Sequence, residues 1–328
     1  MSWDLQVGEI TEKYLTDEDI WISLNNFYFK SSVNMSYKYG FLKSILENLY
    51  NLNEELELNY DKLFYSFTKI YWNLVIHHNL WQSSSISQPS KIQRILQDYA
   101  VKYSIPSDLT FDKLQDSLQL DIIKEVKKNG KRYVIGAFYS DINGYFYEFD
   151  LKEEHLRFNP PVFKFLQKYQ RLITYMTNYH LAIFLEKHNL VPHINYLLTK
   201  VENISKRNSL YEYLDFLIRH DNNICFYCNR VLSKESRKTH VDHFIPWSYI
   251  QSDNLWNLVL SCSTCNSRKS DKLADHYYLE GIIIRNEQLV KEELNETVNY
   301  FENYRKEKLI QLYDYSKHNG ISEIWVPN

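Results

Sequence analysis

The sequence predicts a mainly α-helical protein that contains one small α+β module. Apolar residues recur at helical spacing through most of the first 220 positions. Only 7 glycines stand against 28 tyrosines, which indicates packed helices with few tight turns. All four cysteines lie between Cys225 and Cys265, and short apolar segments of strand type lie between them. We therefore predict a helical domain over 1–220, a compact module over 221–276 and a C-terminal helical extension over 277–328.

The predicted helices rest on apolar residues that repeat every three or four positions. Thr16 precedes three acidic residues, which is typical of the start of a helix. Pro160 and Pro161 open the longest apolar stripe, because proline fits the first turn of a helix. The predicted helical ranges are 20–29, 37–50, 60–78, 91–103, 111–128, 162–183, 193–203, 209–220 and 296–317.

One interval of the helical region is expected to form a β-hairpin. Residues 131–139 and 145–151 are rich in aromatic and β-branched side chains. The residues from Asp141 to Gly144 between them are turn formers. We therefore predict a hairpin over residues 131–151.

The two CxxC pairs are the strongest local signal in the chain. Cys225 and Cys228 form the first pair, and Cys262 and Cys265 form the second, 34 positions further on. Two such turns supply the four sulfur ligands of a closed, tetrahedral, structural zinc site. The alternatives are two disulfides or four free thiols. The sequence favours Zn²⁺, because a disulfide requires an oxidising compartment and the N-terminus lacks the features of a signal peptide.

The segment between and after the cysteine pairs combines signals for strands, a loop and a helix. Residues 239–242 and 256–260 are predicted strands, and residues 263–273 are a predicted short helix. Residues 243–254 form the loop between the strands, and Pro246 prevents simple continuation of the first strand.

Polar side chains in this segment have the chemistry of a metal and phosphate site. Asp242 offers a hard oxygen ligand for an ion such as Mg²⁺, and Asn266 offers a second one. Histidine side chains exchange protons near neutral pH, so His243 is a candidate to take a proton from water. Arg268 and Lys269 are candidates for phosphate binding.

The runs VDHFIPWS and CNSRKSD, with an asparagine on the second strand, resemble the HNH endonucleases of the ββα-metal class. They are similar to the HNH modules of the CRISPR RNA-guided DNA nucleases. The four-cysteine bracket is similar to that of HNH restriction endonucleases. The resemblance covers about 50 of the 328 residues.

The resemblance implies a role for each motif residue. His243 is expected to be the general base, and Asp242 and Asn266 the ligands of a catalytic Mg²⁺ or Mn²⁺. Asn257 is expected to support the loop and the orientation of the histidine. Asn254 competes with Asn257 for this role, and the spacing favours Asn257. Asn266 stands where the family name has its second histidine, a variant that occurs in active members.

Composition limits the partners and the location that we expect. The net charge is −3, so the chain has no overall basic signature for nucleic acid. Residues 1–60 carry a net charge of −6, whereas residues 225–275 carry +2. No apolar run approaches the roughly 20 residues that span a bilayer. We expect a cytoplasmic protein with reduced thiols and no membrane segment.

Together these observations predict a metal-dependent endonuclease that hydrolyses phosphodiester bonds of DNA, with RNA less favoured. Residues 1–220 are expected to recognise or regulate, through a protein partner, a small ligand or a homodimer. Restriction and phage defence are the expected contexts. Two alternatives remain open: a catalytically inactive zinc module that binds DNA or protein, and a nuclease effector that a ligand or partner switches on.

Overall fold

The computed structural model describes residues 5–85, 87–204, 210–233, 238–250, 252–291, 300–301 and 304–327. The chain divides into two compact units. The first comprises Met1–Leu166 and Leu172–Lys206, and the second comprises Gln167–Arg171 and Arg207–Asn328. The predicted division at residues 220 and 276 stays a prediction.

The first unit is built of helices around a small antiparallel sheet, which confirms the predicted mainly α architecture. Its helices are α1 (Asp17–Lys30), α2 (Tyr37–Glu47), α3 (Tyr60–Trp72), α4 (Lys91–Lys102), α5 (Asp116–Asp141), α6 (Pro160–His188) and α7 (Leu197–Asn203). Its strands are β1 (Val7–Gly8), β2 (Glu57–Asn59), β3 (Tyr147–Asp150) and β4 (His155–Phe158), in the order β1-β3-β4-β2. A π-helical turn, Asn73–His77, follows α3, and a 3₁₀ turn, Phe111–Lys113, precedes α5.

Local sequence explains how the first helices begin and pack. Thr16 caps α1 in a capping box with Asp19, whose carboxylate accepts from the Thr16 backbone amide at 2.9 Å. Helices α2, α3 and α5 pack on one another around large buried side chains. Gly40 allows the close approach, because a Cβ there would collide with the ring of Tyr71. Because these helices bury apolar side chains in a common core, the helical spacing of apolar residues predicted the helices.

The predicted hairpin over 131–151 is wrong in its first strand. Residues 131–139 lie inside α5, and the true hairpin pairs β3 with β4, with Tyr147 opposite Phe158. Val134 and Phe138 are spaced four residues apart and both are buried, so the same residues also satisfy a helical pattern. Burial against α2 and α3 outweighs the weak preference of these side chains for strands.

Two further helix predictions need correction. The range 111–128 is a single 3₁₀ turn followed by α5, which begins only at Asp116. The single helix predicted at 296–317 is interrupted: residues 300–301 are helical, residues 304–305 are not, and a helix begins again at Lys306. Residues 292–299 and 302–303 lie outside the described part of the chain. A helix at His276–Lys291, within the predicted helical extension, was not predicted separately.

The second unit holds the cysteine-bracketed module and the elements that support it. Its strands are β5 (Thr239–His243), β6 (Leu258–Cys262), β7 (Leu273–Ala274) and β8 (Ile324–Trp325). Its helices are α8 (Tyr211–His220), α9 (Trp247–Ile250), α10 (Ser263–Lys269), α11 (His276–Lys291) and α12 (Lys306–His318), and a 3₁₀ turn spans Leu255–Asn257. Strands β5 and β6 are antiparallel, and β7 and β8 are parallel.

Each predicted element of the module is present with shifted ends. The second strand begins at Leu258 instead of residue 256, because Leu255–Asn257 form the 3₁₀ turn. The helix ends at Lys269, and Ser270 adopts a left-handed backbone with a φ of 47°. Leu273 then enters a short strand instead of continuing the helix. Within the described residues, no helix combines the length and the apolar character needed to cross a membrane.

Candidate functional site

The four cysteine sulfurs form one cluster, as predicted. All four Sγ atoms lie within 4.8 Å of one another, and Sγ of Cys228 is 3.8 Å from Sγ of Cys262. Sulfur atoms at 2.3 Å from a tetrahedral zinc ion are separated by ~3.8 Å. Cys225, Cys262 and Cys265 are buried, and Cys228 is exposed. The cluster therefore has the composition and the size of a closed zinc site.

Backbone amides support the sulfur atoms, as they do around bound thiolates. The Cys262 amide donates to Sγ of Cys225 at 3.3 Å, and the Cys265 amide donates to Sγ of Cys262 at 3.4 Å. Burial opposes ionisation of the Cys262 thiol, but the hydrogen bonds from the Cys265 amide and from the neighbouring thiols outweigh it. They lower the pKa of Cys262 to about 7. Deprotonated sulfur is the form that binds a metal ion.

Strand β5 carries the Asp–His pair to the end of the ββ sheet. Asp242 lies opposite Val259 and His243 lies opposite Leu258, so the pair sits where the two strands open into the loop. Helix α10 packs against both strands. Strand, loop, strand and helix thus meet beside these two side chains.

Asn257 holds the chain directly after His243. Its Oδ1 accepts from the Ile245 amide at 2.9 Å, and its Nδ2 donates to the Ile245 carbonyl at 2.9 Å. The Phe244 amide donates to the Asn257 carbonyl at 2.8 Å. The Asn254 side chain instead donates to the Ser252 hydroxyl. Of the two asparagines, Asn257 is therefore the one whose side chain holds the loop after β5 in place.

The Asp242 carboxylate has two buried donors on the same oxygen. The Tyr227 hydroxyl donates to Oδ2 at 2.6 Å, and Nζ of Lys269 lies 3.1 Å from Oδ2. Burial, and then the charge of Asp242, raise the pKa of Tyr227 well above its usual range. Its hydroxyl therefore keeps its proton and remains a donor. Lys269 also donates to the His243 carbonyl at 2.7 Å.

The His243 ring is held by a carboxylate from the loop. Its Nε2–H donates to Oδ1 of Asp253 at 2.8 Å. An ionised carboxylate can only accept, so this contact places the proton on Nε2. In the neutral ring, Nδ1 then carries the lone pair that can take a proton.

The remaining predicted residues lie on α10. Asn266 is half-buried and stands three residues before Lys269, so the two side chains share one face of the helix. Because Lys269 reaches Asp242, that face is turned toward the end of β5. Arg268 is exposed, whereas Lys269 is fully buried. Of the two candidates for phosphate binding, Arg268 is on the surface and Lys269 is not. Phosphate binding stays a prediction for both residues.

Helix α11 contributes side-chain hydrogen bonds to the backbone next to the site. Nη2 of Arg285 donates to the Leu258 carbonyl at 2.8 Å, and Nδ2 of Asn286 donates to the Trp256 carbonyl at 2.8 Å. Asp221 lies 3.6 Å from Arg285 and partly balances its buried charge. These contacts fix the 3₁₀ turn and the start of β6, on which Asn257 depends.

Two residues of this arrangement were missed by the sequence reasoning. Tyr227 lies inside the first CxxC turn, and an aromatic residue in a zinc turn was a signal that could have found it. Asp253 lies ten residues after His243, and no spacing rule connects the two. Its role depends on the path of the loop, which only the folded structure shows.

The module is a ββα unit closed by four cysteines, with an Asp–His pair at the end of its first strand. Residues 225–274 match the model of the HNH endonuclease family. This match confirms the resemblance predicted from the motifs, over about the same stretch. No curated protein and no solved structure matches the chain.

The oxygen atoms that Asp242 and Asn266 offer as ligands suit a hard divalent cation. The carboxylate of Asp242 and the amide oxygen of Asn266 are the ligand types that Mg²⁺ and Mn²⁺ prefer. Both described donors to Asp242 bond to Oδ2, which leaves Oδ1 for an ion. The cysteine cluster, in contrast, offers only soft sulfur, which suits Zn²⁺.

Proposed function

We propose that this protein is a metal-dependent endonuclease that hydrolyses phosphodiester bonds of DNA. The observation that supports it most is the Asp242–His243 pair at the open end of β5, beside α10, within the stretch that matches HNH endonucleases. The net charge of +2 over residues 225–275 favours a phosphate-bearing substrate.

In this proposal His243 is the general base. It takes a proton from a water molecule at Nδ1, while the hydrogen bond from Nε2 to Asp253 keeps the ring in that tautomer. Asp253 also stabilises the positive charge that the ring gains in this step. Asn257 acts indirectly, since it fixes the backbone next to the histidine.

Asp242 and Asn266 would hold the divalent ion. When bound, Mg²⁺ or Mn²⁺ would neutralise charge at the scissile phosphate and at the leaving 3′ oxygen. Arg268, and Lys269 if it leaves its present partner, would counter further phosphate charge. The products would be a 5′-phosphate and a 3′-hydroxyl.

We extend the proposal to the number of strands cut, to the role of residues 1–220 and to the cellular setting. One such site cuts one strand, so a double-strand break would need a homodimer or two successive nicks. Residues 1–220 would recognise the target or a partner, or bind an activating ligand. We place the protein in the cytoplasm and in restriction or phage defence.

A second candidate function is a zinc module that binds DNA or protein without cutting. The burial of the site favours it: the His243 side chain is only 2% exposed, and Lys269 already neutralises Asp242. A substrate would have to reach Nδ1 through the loop after β5, and a binding module has no such requirement.

Plasmid cleavage distinguishes the two candidates. The purified protein is incubated with supercoiled plasmid with Mg²⁺, with Mn²⁺ or with a chelator. We expect divalent-dependent nicking, and we expect His243→Ala to lower the rate by about 10²–10⁴-fold, the usual cost of losing a general base. His240→Ala, on the same strand, is the control and should cut normally. Equal cleavage by His243→Ala and the parent protein would refute the assignment, and no cleavage by the parent under any of these conditions would favour the binding module or an effector that lacks its activator.

A further inference from the structure

Tyr227 connects the cysteine cluster with the candidate catalytic carboxylate. It lies inside the first CxxC turn, between Cys225 and Cys228. Its hydroxyl donates to Oδ2 of Asp242 at 2.6 Å, and both groups are buried. One residue thus belongs to the zinc turn through its backbone and to the divalent-ion site through its side chain.

The backbone on both sides of Tyr227 is held by the cluster and by β6. The Phe226 amide donates to the Leu260 carbonyl at 2.8 Å, and the Cys225 amide donates to the Arg230 carbonyl at 2.8 Å. The two flanking cysteines would each be bound to zinc. The turn is therefore held to the sheet by the Phe226–Leu260 hydrogen bond and, through its two cysteines, by the cluster.

The Tyr227 ring is also held in place by its neighbours. The ring packs edge-on against Trp325 at 5.1 Å and against Tyr278 at 5.6 Å, measured between ring centroids. The Tyr278 hydroxyl donates to the Tyr227 carbonyl at 3.1 Å. With turn and ring both held, the hydroxyl has one location, and the Asp242 oxygen that accepts from it is held as well.

A carboxylate that is oriented in advance binds a cation more tightly, because it loses less freedom on binding. Groups that orient a metal ligand typically contribute 10- to 100-fold in metal affinity or activity. The Tyr227 hydroxyl holds Oδ2 and so restricts rotation of the carboxylate. Lys269, the other donor to Oδ2, divides its ammonium group between Asp242 and the His243 carbonyl.

We propose that Tyr227 is a positioning residue that couples the structural zinc site to the divalent-ion affinity of Asp242. The coupling rests on the proposed nuclease function, because it concerns the ion that would serve cleavage. It implies that loss of zinc weakens the second metal site through this one hydrogen bond, and that the two metals bind cooperatively.

Tyr227→Phe tests the proposal, since it removes only the hydroxyl. Mn²⁺ binding to the zinc-loaded, full-length protein is measured by titration calorimetry, with zinc content as the check on folding. We expect the Mn²⁺ Kd to rise about 10- to 100-fold at one zinc per chain. Tyr313→Phe is the matched control, because it removes a buried hydroxyl that donates to the Ala274 carbonyl and does not touch Asp242. Its Mn²⁺ affinity should equal that of the parent.

Reciprocal coupling gives a second readout that does not need cleavage. Binding energies that are coupled in one direction must be coupled in the other. Saturating Mg²⁺ should therefore reduce the fraction of zinc released to a chromogenic chelator at equilibrium in the parent protein. In Tyr227→Phe this effect of Mg²⁺ should be lost.

The outcomes separate this inference from the proposed function. If the parent cleaves DNA, and Tyr227→Phe has the same Mn²⁺ affinity and the same zinc release as the parent, the coupling is overturned and the nuclease proposal stands. Tighter Mn²⁺ binding by the parent than by Tyr227→Phe, without cleavage by either, would overturn the nuclease proposal alone. A parent that binds no Mn²⁺ would overturn both.

Discussion

At the residue scale, the candidate site contains an Asp–His pair whose two side chains are each held by other residues of the module. Asp253 holds His243, and Tyr227 and Lys269 hold Asp242. These contacts orient the two side chains that the proposed mechanism uses.

Asp253→Asn should slow cleavage while leaving DNA binding intact. An amide can present its NH₂ group to Nε2 and so favour the other tautomer of His243, in which Nδ1 carries the proton. We expect kcat to fall about 10- to 100-fold, the usual effect of losing a group that orients a functional side chain, with little change in KM. Single-turnover kinetics on a short duplex measures both.

A double substitution shows whether Asp253 acts through the histidine. In a His243→Ala background, Asp253→Asn should cause no further loss, because coupled residues are not additive. Asp314→Asn, an exposed acid on α12, is the control and should be silent. Additive losses would mean that Asp253 contributes by another route.

At the element scale, the loop between β5 and β6 is the part of the module that depends most on single side chains. Asn257 is completely buried and satisfies both backbone groups of Ile245. Helix α11 supports the same turn through Arg285 and Asn286. The loop is therefore ordered by hydrogen bonds to side chains, in a region where the backbone has left the sheet.

Asn257→Ala should loosen this loop and leave the zinc cluster in place. It leaves the buried amide and carbonyl of Ile245 without their hydrogen-bond partner. Each unpaired group lowers the stability of the loop by about 1–3 kcal/mol. Hydrogen exchange of the Ile245 amide should accelerate by roughly 5- to 150-fold, which is the equivalent of 1–3 kcal/mol. Asn254→Ala is the control, since its side chain bonds only to Ser252 among the described residues. Faster exchange in the control and not in Asn257→Ala would reverse the roles of the two asparagines.

Cys262→Ser should remove zinc and unfold the module. The cysteine is a predicted ligand, caps α10 and accepts from the Cys265 amide, so one change affects the metal, the helix start and the end of β6. A domain this small has too little core to fold without its metal. Elemental analysis should find no zinc, and hydrogen exchange should show loss of protection over 225–274. Ser267→Ala on the exposed face of α10 should keep both, and a folded Cys262→Ser protein without zinc would contradict the structural role.

At the scale of the whole molecule, charge is unevenly distributed along the chain, and the two units differ in construction. Residues 1–60 carry −6, whereas the cysteine-bracketed segment carries +2. The first unit is a set of packed helices around a four-stranded sheet, and the second is assembled around short strands and a cysteine cluster. Affinity for phosphate is thus expected in the second unit.

We predict that residues 1–220 select what is cut without binding DNA strongly themselves. The net charge of −6 over residues 1–60 disfavours contact of that segment with the phosphate backbone, whose contacts supply most non-sequence-specific affinity. A fragment of residues 1–220 and the full-length protein are compared for duplex binding at roughly physiological salt. We expect binding only by the full-length protein, and dimerisation or partner capture by the fragment. Tight, strongly salt-dependent binding by the fragment would make this region a direct DNA reader.

Much of the architecture was accessible from the sequence because it depends on local patterns. Helical spacing predicted α1 to α4 and α6, since apolar residues three or four positions apart in these helices are buried together. The CxxC spacing predicted the cysteine cluster, and the motif residues predicted the Asp–His pair, because their chemistry is written in residue type and order. The ends of β6 and α10 were shifted, since a 3₁₀ turn and a left-handed residue are weak signals.

Only the tertiary structure decided the rest. Residues 131–139 have the composition of a strand, and packing against α2 and α3 makes them a helix, because burial outweighs intrinsic preference. The partners Asp253 and Tyr227 are distant in sequence from the groups that they hold, so no local pattern encodes the contacts. The sequence by itself determined which groups are present, and the folded chain decided which atoms of those groups face each other.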